Sequence, residues 1–594
     1  MPFDGISITA LVSEFNNSLK NARIYKIYHP EKDEMVFHLR QQHSSNVRLL
    51  ISAHPKWSRF HLTDERKPGP KTPSSFCMLL RKYLEGGKIT DIKQVDFERI
   101  VEITVSAVDD FGEWRDKKLI CEFTGRHSNI ILVNPETNLI IDAIKRFSSD
   151  VSSYREVLPG REYKRPPDQG KLNPLNCPFL TFAHKIWHQP EATTLRQALF
   201  NTFSGINPFS AGEICKNAGL DDTMAAAECG EFELSRLFQY ITSLLTELKT
   251  GKIHPIVLLD NKQPLEFAPY QMEFGSATGI QFDSFNQACD YYYSTRLNLE
   301  KLNSQRTNLI RNVRGLLDKA HKKEFLQKND LARAEDSEKY KLWGELLTVY
   351  LHQLGKNSSS VTLPNYYSGE LVTIELDPRL SPIQNAQKFY DKYSKGRRTL
   401  THLADRLRET EEEIMYLKSV LVTVAQAETT EEIAEITEEL EMEGYTKKAP
   451  SRTRSENKRS KPRSFVSTNG WEIMVGRNNR QNDLLTFKQC DRRDLWLHAK
   501  DIPGSHVIIR LPKNITSIED IPDQALEEAA GLAAYYSQAR NSDKVAVDYT
   551  FRYNVRKPRG AKPGMVIYEG YWTIMANPRS EKIMTLVTNQ GQQY

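Results

Sequence analysis

No run of apolar residues in this chain approaches the roughly 18 that a membrane-spanning helix needs. The opening MPFDGISITALVSEF has no basic stretch followed by an apolar one, so no secretory leader is indicated and the expectation is a cytoplasmic protein. Cysteine is sparse: Cys77, Cys121, Cys177, Cys215, Cys229, Cys289 and Cys490 are odd in number and form no CxxC pair, which argues against a disulfide framework or a Cys-rich zinc site. Also absent are GxxxxGK[ST], a GxGxxG after a strand, GxSxG and HExxH. His38, His43 and His61 lie near one another, but on or near strands such residues read as packed or surface side chains, not as ligands. The residues point to no enzyme, metal or cofactor.

What is present is a chain of 594 residues with 39% hydrophobic and 26% charged side chains, enough for several cores and three to five domains. Its net charge of +5 is the difference of 81 basic and 76 acidic residues, so distribution matters more than the total. Residues 1–170 alternate apolar and polar positions in short runs, as in Arg99–Val105 and Asn129–Val133, after a leading helix near Ile8 to Leu19. The Pro-rich stretch 159–167 reads as a linker.

From about Phe179 to Thr250 the pattern is helical. Within it, 203–211 (FSGINPFSA) is a Gly/Pro turn that either joins two helices and nothing more, or aims the free N–H groups of the second helix at a phosphate. Farther on, Leu299, Leu302, Arg306, Leu309, Val313, Leu316 and Ala320 step by three and four, as do Leu400, Leu403, Leu407, Thr410, Ile414, Leu417, Leu421 and Val424. These are coiled-coil seams with one polar intruder each, Arg306 and Thr410. The prolines and strand-like runs between them predict two antiparallel helices carrying a small tip domain. A first helix from Ala288 to Gly344 would be on the order of 80 Å long.

Charge then segregates: 409–443 is Glu-rich, whereas 447–463 holds eight cations and one Glu, a flexible linker that either meets a phosphate backbone or is merely solvated. From Phe465 onward the pattern is a separate α/β domain of roughly 130 residues. Its candidates for RNA contact are Arg477, Asn478, Asn479, Arg480, Asn482 and Asp483 around a Gly turn, with Trp496, His498 and Lys500 for stacking and charge. Arg556, Lys557, Arg559 and Lys562 follow on a Gly/Pro loop. Trp496 is read as a core residue or as a base-stacking one.

At these residues the chain resembles a known family. GRNNRQNDLLTFK, DLWLHAKDIPGSHVII and VRKPRGAKPGMVIY look like an NFACT-R domain, and MPFDGISITALVSEF, GRHSNIIL and GREYKRPP look like NFACT-N. With SPIQNAQKFYDKYSK between them, nearly the whole chain resembles the RqcH/NEMF family of ribosome-quality-control factors, in its bacterial form. The resemblance implies a multidomain α+β chain. Residues 1–170 would be a glycosylase-like β-rich NFACT-N domain and 175–285 a helix–hairpin–helix region. Residues 286–445 would form a long antiparallel coiled coil with its tip domain at about 345–398, 446–463 a basic linker, and 464–594 an α/β NFACT-R RNA-binding domain.

It further implies a non-enzymatic factor that binds large ribosomal subunits obstructed by peptidyl-tRNA, contacts rRNA and recruits charged tRNA, alanyl-tRNA in bacterial members. The stalled chain then gains a C-terminal tail that marks it for degradation. No DNA, membrane or cofactor is expected. Asp4, Glu98, Arg99, Arg126, His127 and Asn129 are the implied tRNA-binding residues. The family's Asp-Arg pair appears here as Glu98-Arg99, leaving open whether Glu98 or Asp96 takes the acidic role. The alternatives are a fibronectin-binding adhesin, a label some bacterial relatives carry, and a glycosylase-like repair enzyme. The second lacks support, because Phe3 follows Pro2 where those glycosylases need an acidic residue.

Overall fold

The computed structural model describes residues 3–590 other than 42–45, 68, 71, 151, 153, 262, 273–276, 356, 448–459, 514 and 516. Pro2 and most of the basic stretch 447–463 thus lie outside the described residues. The chain divides into two compact units, Met1–Asn298 and Leu299–Tyr594. No helix among the described residues is long and apolar enough to cross a membrane.

The first unit opens with α1 (Gly5–Ser18), followed by β1 (Arg23–Glu31), β2 (Glu34–Arg40), β3 (Val47–Ser52) and β4 (Arg59–Leu62). Helix α2 (Ser75–Leu84) precedes β5 (Lys88–Gln94), β6 (Ile100–Val108), β7 (Trp114–Glu122), β8 (Asn129–Asn134) and β9 (Leu139–Ala143). The nine strands make one antiparallel sheet in the order β4-β3-β2-β1-β5-β6-β7-β8-β9. Alternation along β6 sends Val101, Ile103 and Val105 to the main core, while Ile100 faces a second core with Ile120, Ile131, Val157 and Tyr163.

That second core corrects the linker expected at 159–167. Tyr163 is buried and donates 3.0 Å to Glu122, which also holds Arg155 at 2.5 Å, and the Ile140 amide donates 2.8 Å to Arg161. The stretch is docked on the sheet because its Tyr163 joins Arg155 in satisfying the buried Glu122 carboxylate, and its Lys164 carbonyl accepts from Arg155 at 2.7 Å.

Helices α3 (Phe179–Trp187), α4 (Leu195–Thr202), α5 (Pro208–Asn217) and α6 (Glu231–Lys249) come next. A Thr194–Gln197 capping box starts α4, and Asn207 caps α5 with Pro208 in its first turn. The small sheet of β10 (Ile256–Asp260), β11 (Gln263–Ala268) and β12 (Thr278–Gln281) leads into α7 (Phe285–Glu335), whose Phe285, Ala288, Tyr292 and Tyr293 enter the main core.

In the second unit α7 runs on to Glu335, on the order of 55 Å beyond Leu299. It does not continue to Gly344: α8 (Glu338–Val349) starts afresh after Ser337, which lies against Gly396. The hairpin β13 (Ser360–Pro364) and β14 (Leu371–Glu375) follows, then α9 (Pro382–Gln426), started by a Ser381–Gln384 capping box. Helices α7 and α9 are antiparallel: Arg306 donates to the Ala427 carbonyl, Lys323 pairs with Glu413 at 3.6 Å and Lys328 with Glu411 at 3.5 Å. The polar intruder Thr410 is buried in the seam because its hydroxyl donates 2.9 Å to Arg406 of its own helix.

Helix α10 (Thr430–Met442) precedes β15 (Arg463–Val466), β16 (Glu472–Val475), α11 (Asn479–Leu484), β17 (Leu495–Ala499), β18 (Val507–Ile509) and α12 (Asp523–Tyr535). Then come β19 (Val545–Phe551), the pair β20 (Val555–Arg556) and β21 (Ile567–Tyr568), β22 (Trp572–Ala576) and α13 (Glu581–Gln590). The antiparallel sheet β15-β16-β18-β17-β19-β22 packs one face on α12.

Candidate nucleic-acid interface

Asp4 joins two helix starts. Its Oδ1 accepts the Ser7 amide at 2.9 Å as the cap of α1, and its Oδ2 accepts the Ser210 hydroxyl of α5 at 2.7 Å. The Gly5 amide donates 2.7 Å to the Gly205 carbonyl, so the turn before α5 abuts the start of α1. Asp96 and Phe97 both take left-handed backbone, φ 46° and 61°, and deliver Glu98 and Arg99 to the same place. Gln94 braces the arrangement, donating 2.9 Å to the Gly5 carbonyl and 3.0 Å to that of Glu98 while accepting from Thr9.

The result is a cleft of about 340 Å³ lined by Asp4, Glu98, Arg99, Gln169, Lys171, Phe200, Ser204, Gly205, Ile206, Asn207 and Pro208. Burial raises the Asp4 carboxyl against the opposing pull of its hydrogen bonds, and burial likewise raises Glu98 with Arg99 opposing. Burial lowers Arg99 and Lys171, the two cations of the cleft. Lys171 is spent locally, donating 2.6 Å to the Phe200 carbonyl. The Glu98 carboxylate and the Arg99 guanidinium make no hydrogen bond to another described residue. The cleft therefore offers one acceptor and one fork of donors, both half-buried. The start of α5 adds no row of open N–H groups, because Pro208 has none and the Ser210 and Ala211 amides are donated to Asn207.

Of the six N-terminal candidates, Asp4, Glu98 and Arg99 meet here. Asp96 is exposed and pairs with Arg165 at 2.7 Å, outside the cleft. Arg126 and His127 are exposed on another turn, bonded to each other at 3.0 Å. Asn129 is buried, its Nδ2 donating 2.9 Å to the Lys145 carbonyl and its Oδ1 accepting the Lys145 amide at 3.1 Å, so it lies outside the cleft. Gln94, Gln169, Lys171 and Phe200 were not legible as site residues, for each is an ordinary side chain made local only by folding.

The C-terminal candidates separate into two groups. Arg477 pairs with Glu432, Asn478 donates 2.9 Å to Glu435, Asn479 donates 3.2 Å to Glu439, and Arg480 lies 3.6 Å from Glu438. Asn482 accepts the His506 amide at 3.1 Å, and Asp483 takes Lys557 and the Gly564 amide. The run expected to meet RNA as a Gly turn is instead the start of α11, clamped on the acidic face of α10. Sequence composition suited to phosphate is equally suited to carboxylate. Trp496 is fully buried among Met474, Leu485 and Ile508, with His498 stacked on it at 5.7 Å, so it is a core residue and not a stacking platform. Lys562 pairs with Glu443 at 2.8 Å and Lys500 sits 3.7 Å from Asp548. Arg556 and Arg559 remain exposed, with no ion pair to a described residue.

The family profile described as NFACT N-terminal and middle domains matches residues 4–461, and that of the NFACT protein RNA binding domain matches residues 461–574. The chain is 37% identical to the Rqc2 homolog RqcH of Streptococcus suis over 99% of this chain and 100% of that protein. It is 35% identical to the Rqc2 homolog RqcH of Bacillus subtilis, again over 99% of this chain and 100% of that one. The chain belongs to the RqcH/NEMF family. Among solved structures it is similar to the C-terminal part of the fibronectin/fibrinogen-binding protein of Streptococcus suis, with 37% identity, 48% of this chain, 98% of that one and a TM-score of 0.38. In RqcH/NEMF terms the cleft lies within the first profile. The α10–α11 clamp crosses from the first to the second.

Proposed function

We propose that this chain is a ribosome-quality-control factor that binds large ribosomal subunits obstructed by peptidyl-tRNA and recruits charged tRNA, alanyl-tRNA in the bacterial pattern, to them. The ribosome makes the peptide bonds of the resulting mRNA-independent tail. The chain acts in the cytoplasm as a recruiter, with rRNA and tRNA as its partners. Full-length relatives named Rqc2 homolog RqcH support this reading.

The observation that carries it is a Glu98 carboxylate and an Arg99 guanidinium side by side in one half-buried cleft, neither hydrogen-bonded to another described residue. A phosphate alone is repelled by a carboxylate, so the pair suits a ligand that presents donors and acceptors together, as the edge of a nucleobase does. Glu98 accepts from the base and Arg99 donates to it or stacks on it, while Asp4 fixes the geometry from behind. The tip formed by α8, β13 and β14 makes a distal contact with the subunit.

Sedimentation of lysate tests the reading. The protein should move with large subunits when stalled subunits accumulate and carry tRNA with it; a protein that stays at the top of the gradient under those conditions contradicts it.

A further inference from the structure

The hairpin joining β6 to β7 exposes three apolar side chains among its charges. Val108 and Trp114 are directly opposed across the strands, and they are 51% and 58% exposed. Phe111 between them is 91% exposed. A single exposed apolar residue is ordinary on a protein surface. Three of them at one tip, on a turn built to hold them, are not.

The turn is held by Asp109. Its amide donates 2.8 Å to the Glu113 carbonyl, and its Oδ1 accepts the amides of Phe111 at 2.9 Å and Glu113 at 3.0 Å. Gly112, at φ 83°, closes the turn with a conformation other residues resist. Arg115 reaches Asp109 at 3.3 Å, Glu113 at 2.9 Å and Glu136 at 3.0 Å, while Lys82 reaches Asp110 at 3.0 Å. The backbone donors, that of Glu113 first, keep the Asp109 carboxyl below its ordinary range and hence ionised. Phe111 is thus presented on a pre-formed turn, and ordering it on binding costs little entropy.

The charges decide the kind of partner. Asp109, Asp110 and Glu113 stand on the turn with Phe111 and Glu136 lies beside it, against Lys82 and Arg115, which they engage, and Lys117 in the same depression, so the tip is acidic on balance. A phosphate backbone approaching this tip meets carboxylates first and is repelled. A protein pocket that is apolar inside and lined by Lys or Arg at its rim fits both features.

We propose that Val108, Phe111 and Trp114 form a docking finger for a protein component of the large subunit, whose apolar pocket with a basic rim receives the Phe111 ring. The proposal rests on the ribosomal reading above, and the test separates the two. Full-length protein is titrated with purified obstructed large subunits. Phe111→Ala should weaken binding about tenfold, Phe111→Leu should restore most of it, and Asp110→Lys with Glu113→Lys should weaken it as Phe111→Ala does. Placing benzoylphenylalanine at position 111 and irradiating the complex should give an adduct with a ribosomal protein that survives ribonuclease. Wild-type protein that binds subunits while Phe111→Ala binds them equally well overturns the finger alone. An adduct destroyed by ribonuclease does the same. Wild-type protein that binds no subunit overturns both readings.

Discussion

Gly5 and Gly205 touch through their backbones: a Cβ on Gly5 would stand 2.6 Å from the Gly205 Cα, and one on Gly205 would stand 2.2 Å from the Phe97 carbonyl oxygen. Gly205 also sits at φ 70°, so alanine there meets backbone on two counts. Gly205→Ala should destabilise the first unit by roughly 2–5 kcal/mol, the sum of backbone strain and overpacking. Thermal unfolding should show it, together with loss of bound tRNA because Glu98 and Arg99 lose their support.

If Glu98 receives tRNA as proposed, binding and stability oppose each other there. Burial raises its folded pKa above its ordinary value of 4.5, so the fold favours the protonated acid. That contribution is present below the unfolded pKa and is lost as pH rises through the raised folded pKa. Glu98→Gln should therefore raise the unfolding midpoint at neutral pH and flatten its pH dependence just above 4.5, while tRNA binding falls. A midpoint unchanged at neutral pH contradicts the half-buried placement of the carboxylate.

The α10–α11 clamp makes a prediction opposite to the composition of its sequence. Arg477 and Glu432 are 12% and 2% exposed in their side chains, so removing Arg477 leaves the buried Glu432 with only the longer 3.9 Å pair to Arg463. Arg477→Ala should cost about 3 kcal/mol in the stability of the second unit. The salt dependence of RNA binding by the remaining folded protein should not change. A reduced salt slope with unchanged stability would return Arg477 to the RNA surface.

Arg556 and Arg559, by contrast, are exposed, the first at the end of β20 and the second on the Gly/Pro loop that follows. Each change to alanine should leave the unfolding midpoint where it is and lower the slope of log affinity against log salt by about 1. Equal slopes for wild type and the double variant would remove this loop from the RNA interface.

How much of this was legible in the sequence follows from the range of each signal. The α7 and α9 seams, the strands β6 and β8 and the Gly/Pro turn before α5 are local patterns, written by residues 3, 4 and 7 apart in the helices and by alternation in the strands. Ser337, where α7 stops, carried no breaker signal, since its contact is with Gly396 in another helix. The meeting of Asp4 with Ser210 spans 206 positions, so only folding could reveal it. The Gly476 to Asp483 run misled because arginines and amides bind carboxylates as well as phosphates, and its Glu partners stand some forty residues earlier in a helix that had been noted only for its charge. Trp496 was ambiguous for a plainer reason: an aromatic in a strand is core or platform according to which face the sheet covers, and that is set by β20, β21 and the residues Leu485 and Phe487 after α11.

The most direct test is the double variant Glu98→Ala, Arg99→Ala, purified with its bound RNA from cells that accumulate obstructed large subunits. The account predicts nearly normal recovery of large subunits, loss of co-purifying tRNA and loss of C-terminal tails on stalled chains. Unchanged tRNA recovery and tail length in that variant would contradict it.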